Sequence, residues 1–365
     1  MHRTIAARRA TWKRRASVPV IKILTALLLP TLIGCGQPAT GPQHIDEYLS
    51  RLSRTLDLAL PDYQQLLRPP RYSDYAIKPI DIPASTVGLL DFLALSDCAL
   101  QVNVGRRNSS LGRQASASQR LILDLEFLSL APECITTLEA AGERDLAEQL
   151  IAIQQEKTDQ LPSRIYNAVL AGPEFRAAWQ LPASLADYPA DTGGDILDAL
   201  AWFQAATAAW LSGDFGFDWQ PLEQQLFHLR SGDQGALLLA AVHQARELDR
   251  GTALLQARAT LGPLCPTAQM TDMARTLDTV VIKFFTAPVQ QWLASVDQRE
   301  RELMTPTRSL ESLLAAALPG AYHNWSKARD DMLATLRSTP KRHVAGLQHL
   351  ASSCVGSALN HGVET

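Results

Sequence analysis

Apolar side chains recur along most of the chain at intervals of three and four residues, the spacing that lines one face of a helix. Ile45, Tyr48, Leu49, Leu52, Leu56 and Ala59 form one such stripe, and Pro61 closes it. Val87, Leu90, Ala94 and Cys98 form another within a helix predicted over 86–103, which aims the cysteine inward. Helices are then predicted over 118–130, from Pro132 in a first turn that carries Cys134, over 144–157 and over 163–170. Further on the pattern predicts helices over 196–211, 221–230 and 234–261, the last with Leu238, Val242, Ala245, Leu248, Leu255 and Ala259 on one face. A long helix with Leu277, Val280, Val281 and Phe284 follows; Pro288 restarts it, and Val289, Trp292, Leu293, Val296 and Leu303 extend the stripe. Helices over 310–318, 322–337 and 341–360 finish the chain, the last bringing Cys354 inward beside Leu347, Ala351 and Ala358.

Proline and glycine mark the breaks. Pro69, Pro70, Pro79 and Pro83 are too many for regular structure, so 68–85 is expected to lie extended over helices. The stretch 181–194, rich in Pro, Gly, Asp and Ala, is the expected linker between an N-terminal helical lobe, 45–180, and a C-terminal one, 195–365. Strand-like alternation is not visible, and no constant period marks a repeat solenoid. Composition agrees: 46% hydrophobic and 19% charged residues over 365 positions can bury a sizeable core, and only 6% are aromatic. The expected fold is therefore all-α, an irregular multi-helix bundle that could comprise two packed helical lobes.

The amino terminus has a different character. Arg3, Arg8, Arg9, Lys13, Arg14, Arg15 and Lys22 accompany an apolar run from Ile23 to Ile33, and no acid occurs in residues 1–34. This layout is that of a secretory signal peptide. The run contains Pro30 and falls short of the roughly 20 apolar residues of a membrane-crossing helix, which favours a cleaved leader over a permanent span. Its end, Leu32-Ile33-Gly34-Cys35, resembles the lipobox of bacterial lipoproteins. The resemblance implies that the Cys35 thiol accepts diacylglycerol, that cleavage leaves it first, and that acyl chains such as palmitate hold it in the bilayer. Gly36 stands where an Asp would signal retention in the inner membrane, so the resemblance also implies the periplasmic face of the outer membrane. A lipidated tether is expected over 35–44.

Loss of the leader leaves 27 basic against 37 acidic side chains, a formal charge of −10 that argues against a nucleic-acid partner. Cys98, Cys134, Cys265 and Cys354 remain. In an oxidising compartment an even number argues for two disulfides, with three pairings open and four buried thiols as the alternative. Proximity in sequence favours Cys98 with Cys134 and Cys265 with Cys354. No Cys-x-x-Cys occurs, so thiol redox catalysis and Cys-ligated zinc both lack their spacing.

Leu89-Leu90-Asp91-Phe92-Leu93, the run from Arg107 to Arg113 (RNSSLGR), Lys157, Leu161-Pro162 and the run from Asn167 to Arg176 form a distinctive set, with Cys98 and Cys134 flanking the second motif. The set resembles an uncharacterised Gram-negative lipoprotein family catalogued as domain of unknown function 3080, most clearly over 45–180. The resemblance implies a lipoprotein of unknown activity and supplies no catalytic residues.

Candidate chemistry is sparse. Arg106, Arg107, Asn108 and Arg113 could hold a phosphate or carboxylate at a turn between helices. Alternatively Asn108 or Ser109 satisfies the turn backbone, Gly112 takes a positive φ, and the arginines pair with Asp124 or Glu126. Ser109 and Ser110 lack the Gly-x-Ser-x-Gly elbow of a nucleophile. Trp202, Phe203, Trp210, Phe215, Phe217 and Trp219 crowd around Gly213 and Gly216. Exposed, Trp210, Phe215, Phe217 and Trp219 would form an aromatic binding surface; buried, they wedge a helix hairpin against its neighbour, which is favoured. His343 and His349 are six apart and do not share a helical face, and no metal or cofactor motif is present. Glu139, Glu143 and Glu148, or Asp187, Asp191 and Asp195, could be offered as acid/base groups, but solvated faces explain them.

Two readings follow. The favoured one is a membrane-anchored envelope lipoprotein whose helical body binds an envelope protein or cell-wall partner without catalysis. The other is a periplasmic hydrolase or transferase acting on envelope lipid, glycan or peptide in a cleft between the lobes. Geometry separates them: an enzyme needs a concave site where polar groups converge, and a binder needs an apolar patch on an otherwise closed bundle.

Overall fold

The computed structural model of the chain describes residues 39–63, 68–83, 95–96, 98–190 and 192–361. The leader over 1–34, Cys35, the tether residues up to 38 and the 86–94 part of a predicted helix lie outside the described residues. The helices are α1 (Gly41–Leu56), α2 (Leu100–Asn108), α3 (Ser110–Arg113), α4 (Ala117–Ala141), α5 (Arg144–Ala168), α6 (Pro173–Ala178) and α7 (Asp195–Leu211). They continue with α8 (Leu222–Arg230), α9 (Gln234–Thr260), α10 (Asp272–Val280), a π-helical stretch (Val281–Val289), α11 (Gln290–Leu313), α12 (Gly320–Leu336) and α13 (Thr339–Ala351). No strand occurs among the described residues.

The main core begins with the α1 stripe Ile45, Tyr48, Leu49, Leu52 and Leu56 and ends with Leu359. A satellite core joins Leu95, Cys98, Leu100 and Val104 to the outer ends of α4 and α5, through Phe127, Cys134, Leu138, Leu146 and Leu150. Gly142, at φ 84°, turns α4 back into α5: its N–H and that of Glu143 cap the carbonyls of Glu139 and Leu138.

Several boundaries differ from expectation. The tether ends early because Thr40 and Gln43 form a reciprocal capping box that starts α1 at Gly41, with Pro42 in the first turn. Pro132 and Pro162 do not restart helices but lie inside α4 and α5. An internal proline costs about 3 kcal/mol, yet each of these stands outside the core while apolar residues bury on both sides of it. The helix predicted over 310–318 does not stand alone: 310–313 are the last residues of the long α11, and a 3-10 turn, Ala315–Ala317, follows. Helix α13 stops at Ala351 rather than near 360, because tertiary partners take over the backbone: Val355 N–H donates to Ala268 (2.8 Å), and Asp278 accepts from the Ser357 hydroxyl (2.8 Å) and the Ala358 N–H (2.9 Å).

Residues Ala39–Thr365 form one compact unit, and 181–194 lies inside it. Tyr188 of that stretch is buried in the main core, which draws on residues from both sides of it instead of forming a lobe on each. Its hydroxyl donates to Asp233 (2.9 Å), its carbonyl accepts from the Trp292 indole (2.8 Å), and Arg299 donates to the Gly193 carbonyl (3.1 Å). The cysteine sulfurs stand at bonding distance in the pairing that sequence proximity favours, Cys98–Cys134 at 2.09 Å and Cys265–Cys354 at 1.95 Å.

The centre of the main core holds a charge. Arg329 is 0% exposed; its guanidinium meets both Glu311 oxygens (2.8 and 2.9 Å) and both Asp330 oxygens (3.0 and 3.1 Å). The rings of Trp179 and Trp325 lie 5.2 and 4.9 Å from it, and the Tyr322 hydroxyl donates to Glu311 (2.7 Å). Arg329→Met should cost about 3–5 kcal/mol by leaving Glu311 buried without its cation. The double variant Arg329→Met/Glu311→Gln should recover most of that, and urea unfolding of the two proteins makes the comparison.

Candidate functional site

A groove of about 590 Å³ lies between α9, the π-helical stretch, α11, α12 and α13. Pro288 has no N–H to offer the Phe284 carbonyl, and the Gln290 N–H reaches back five residues to Phe285. This wider turn carries Phe285, which forms part of the groove floor and packs on Tyr48 and His343 (ring centroids 5.0 and 5.3 Å). Ala241 and Ala245 of α9 and Ala294 of α11 are too small to fill the space that Leu293, Leu333, Leu336 and Val344 surround. Charges rim the groove: Asp297 pairs with Arg301 and Glu300 with Arg337, while Lys341 is exposed and has no carboxylate partner among the described residues. The volume lies within the roughly 300–1,000 Å³ of small-ligand sites, and the floor is apolar.

Behind the floor, Tyr48 and His343 are buried together. The Tyr48 hydroxyl lies 2.7 Å from His343 Nε2, and Thr252 Oγ1 lies 3.2 Å from Nδ1. Thr252 itself donates to the Leu248 carbonyl (2.8 Å), so its oxygen is free to accept from Nδ1–H and Nε2 accepts from Tyr48. Gly251 is required here: a Cβ would stand 2.8 Å from His343 Cε1 and from a Leu49 methyl. Burial lowers the His343 pKa to about 4.

A second, polar cavity of about 410 Å³ opens beside Ala39 and Gly41. Buried Arg299 anchors it through a bidentate pair with Asp233 (2.6 and 3.0 Å), with Tyr188, Trp292, Gln298 and Glu302 around it.

The arginine segment does not assemble as a clamp. Arg106 pairs with Glu126 (2.9 Å), and Arg113 donates to the Asn108 carbonyl (2.6 Å). Ser109 caps α3 by accepting from the Gly112 N–H (3.0 Å). Gly112 does not take a positive φ; glycine is needed because a Cβ would stand 2.2 Å from the Arg106 carbonyl oxygen. Asn108 is exposed, and Arg107 turns inward, its Nη1 buried without a hydrogen-bond partner among the described residues. Asp124 pairs instead with Lys157 (2.6 Å) and Arg164 (3.1 Å), all three buried.

The aromatic cluster packs inward. Phe203 and Trp210 are buried, and half-buried Trp202, Phe215, Phe217 and Trp219 lie against the main core. Glu139, Glu143, Glu148, Asp187 and Asp195 are exposed, and Asp191 lies outside the described residues. His349 is exposed while His343 is buried, and no His/Cys/Asp/Glu group among the described residues could hold a metal ion. The groove, the Tyr48–His343 pair and the Arg329 cluster went unread in the sequence, because each joins residues from distant helices.

An all-α body built on one main core and a disulfide-bearing satellite is the class that these elements define. The chain belongs to the family described as protein of unknown function DUF3080, whose model matches residues 45–357 and so takes in both halves. No curated protein and no solved structure matches it.

The buried imidazole sets a pH dependence. Its folded pKa lies below the ordinary 6.5, so its contribution to stability is complete above about 6.5 and is lost as pH falls towards 4. Unfolding free energy should drop over that window by up to about 3 kcal/mol more in the parent than in His343→Gln, measured by urea titration at each pH.

Proposed function

We propose that the protein is a lipid-anchored lipoprotein on the periplasmic face of the bacterial envelope, in the outer membrane, and that it acts by binding rather than catalysis. The observation that carries the anchor is the order basic region, apolar run, Leu32-Ile33-Gly34-Cys35. The paired cysteines support an oxidising compartment, and the capping box at Thr40 starts the folded body five residues beyond Cys35. Binding is supported by the apolar groove and by the dispersal of the arginine segment into intramolecular contacts, where an enzyme would need convergent, unspent polar groups.

The partner that fits the groove is an envelope protein segment that inserts aliphatic side chains and carries an acidic group. The floor is apolar, and Lys341 is the rim cation with no carboxylate of its own among the described residues.

Cys35→Ser should abolish palmitate labelling and release the protein from membranes; labelling that persists would defeat the anchor. Ala294→Trp should plug the groove without disturbing thermal stability. A photo-crosslinker at Leu336 should then join the parent, but not Ala294→Trp, to one envelope protein through an acidic, aliphatic segment, and Lys341→Glu should weaken the yield about tenfold. Equal crosslinking in all three proteins would remove the groove from the function.

A further inference from the structure

The inner side of the arginine segment is short of negative charge. Arg107, Lys157 and Arg164 converge where α2 meets α4 and α5, and Asp124 is the one carboxylate that Lys157 and Arg164 share. The next acid along α4, Glu126, is already engaged by Arg106 and by the Asn103 amide (2.8 Å). Lys157 and Arg164 are each 7% exposed, so water screens little of their mutual repulsion. Burial lowers the Lys157 pKa, Asp124 opposes that fall, and Arg107 and Arg164 add to it. Lys157 spends one N–H on Asp124 and lies 5.1 Å from the Phe127 ring, while Arg107 Nη1 is sealed from solvent with no acceptor among the described residues. A buried guanidinium nitrogen without an acceptor is costly, and a native fold rarely tolerates one.

A cavity of about 20 Å³ is lined by these two cations and by the Asp124 carboxylate, with Asn103, Asn108, Phe127 and Ile153 also on its wall. That is room for one particle near the size of a water molecule, which needs roughly 10–15 Å³, and not for a phosphate or sulfate. We propose that this cavity is a binding site for a single monatomic anion, chloride in an ordinary salt medium, held by Arg107 Nη1 and the Lys157 ammonium. The anion supplies the missing acceptor and offsets the excess positive charge, and it pins α2 of the satellite core against the α4–α5 hairpin. A water would fill the space but leave the charge uncompensated, and this difference makes the site testable.

Thermal unfolding of the isolated protein in sodium chloride and in sodium gluconate at equal ionic strength reads the site. The midpoint should be about 2–4 °C higher in chloride, and bromide should substitute for it. Arg107→Gln should abolish the difference between the salts and, in gluconate, be at least as stable as the parent, because it removes a charge that nothing neutralises. A midpoint indifferent to the anion would overturn the site, as would a chloride gain that survives in Arg107→Gln. Crystals grown in bromide give an independent reading: an anomalous peak between Arg107 and Lys157 is expected, and a water there would refute the proposal.

Discussion

A guanidinium removed from water must find an acceptor for nearly every donor it carries, and meeting that demand for Arg329 organises the carboxy-terminal helices. Glu311 comes from α11, Arg329 and Asp330 from α12, and Trp179 from the end of α6. The proline-rich stretch is drawn into the same place. Trp325 donates to the Pro70 carbonyl (3.2 Å), the Tyr72 ring stacks edge-on against Trp325 (4.9 Å), and the Tyr72 hydroxyl donates to Leu170 (2.8 Å). A short range of relative positions satisfies all these bonds, so the cluster constrains how α6, α11 and α12 meet.

What could be read from sequence follows the range of the interaction concerned. Helix existence depends on neighbours three and four residues away, and α1, α7, α8 and α9 match their periodic stripes closely. Proline was a poorer guide, because its local cost near Pro132 and Pro162 is outweighed by burial along α4 and α5 that a local reading does not weigh. The cysteine pairing was legible as a preference, since nearest partners in sequence proved nearest in space. The Tyr48–His343 contact spans 295 positions and the Trp325–Pro70 bond 255, and no spacing rule reaches so far. The arginine segment lay between these cases: Arg106 found the expected Glu126, Arg113 took the Asn108 carbonyl in place of a carboxylate, and Arg107 lines a cavity with a lysine fifty positions away.

Groove and neutral imidazole belong to one construction. Phe285 lines the groove and packs on His343 and Tyr48, so the floor rests on a polar pair in which the Tyr48 O–H and both imidazole nitrogens are engaged internally. The π-helical turn that places Phe285 there follows from one proline and costs regular hydrogen bonding at that point. An irregularity of the backbone, three alanines and a hidden histidine thus jointly create an apolar hollow with a charged rim.

The link between Cys265 and Cys354 has a mechanical side. A pull applied at the two ends of the folded body would have a covalent path across that sulfur bridge that bypasses α10 through α13, in parallel with 89 positions of backbone. Tension would pass across the shortcut and leave those helices slack, so stretching would first strip α1 and the segments ahead of α10. Under such a load, four of the five walls of the groove would then be the last part of the molecule to feel it.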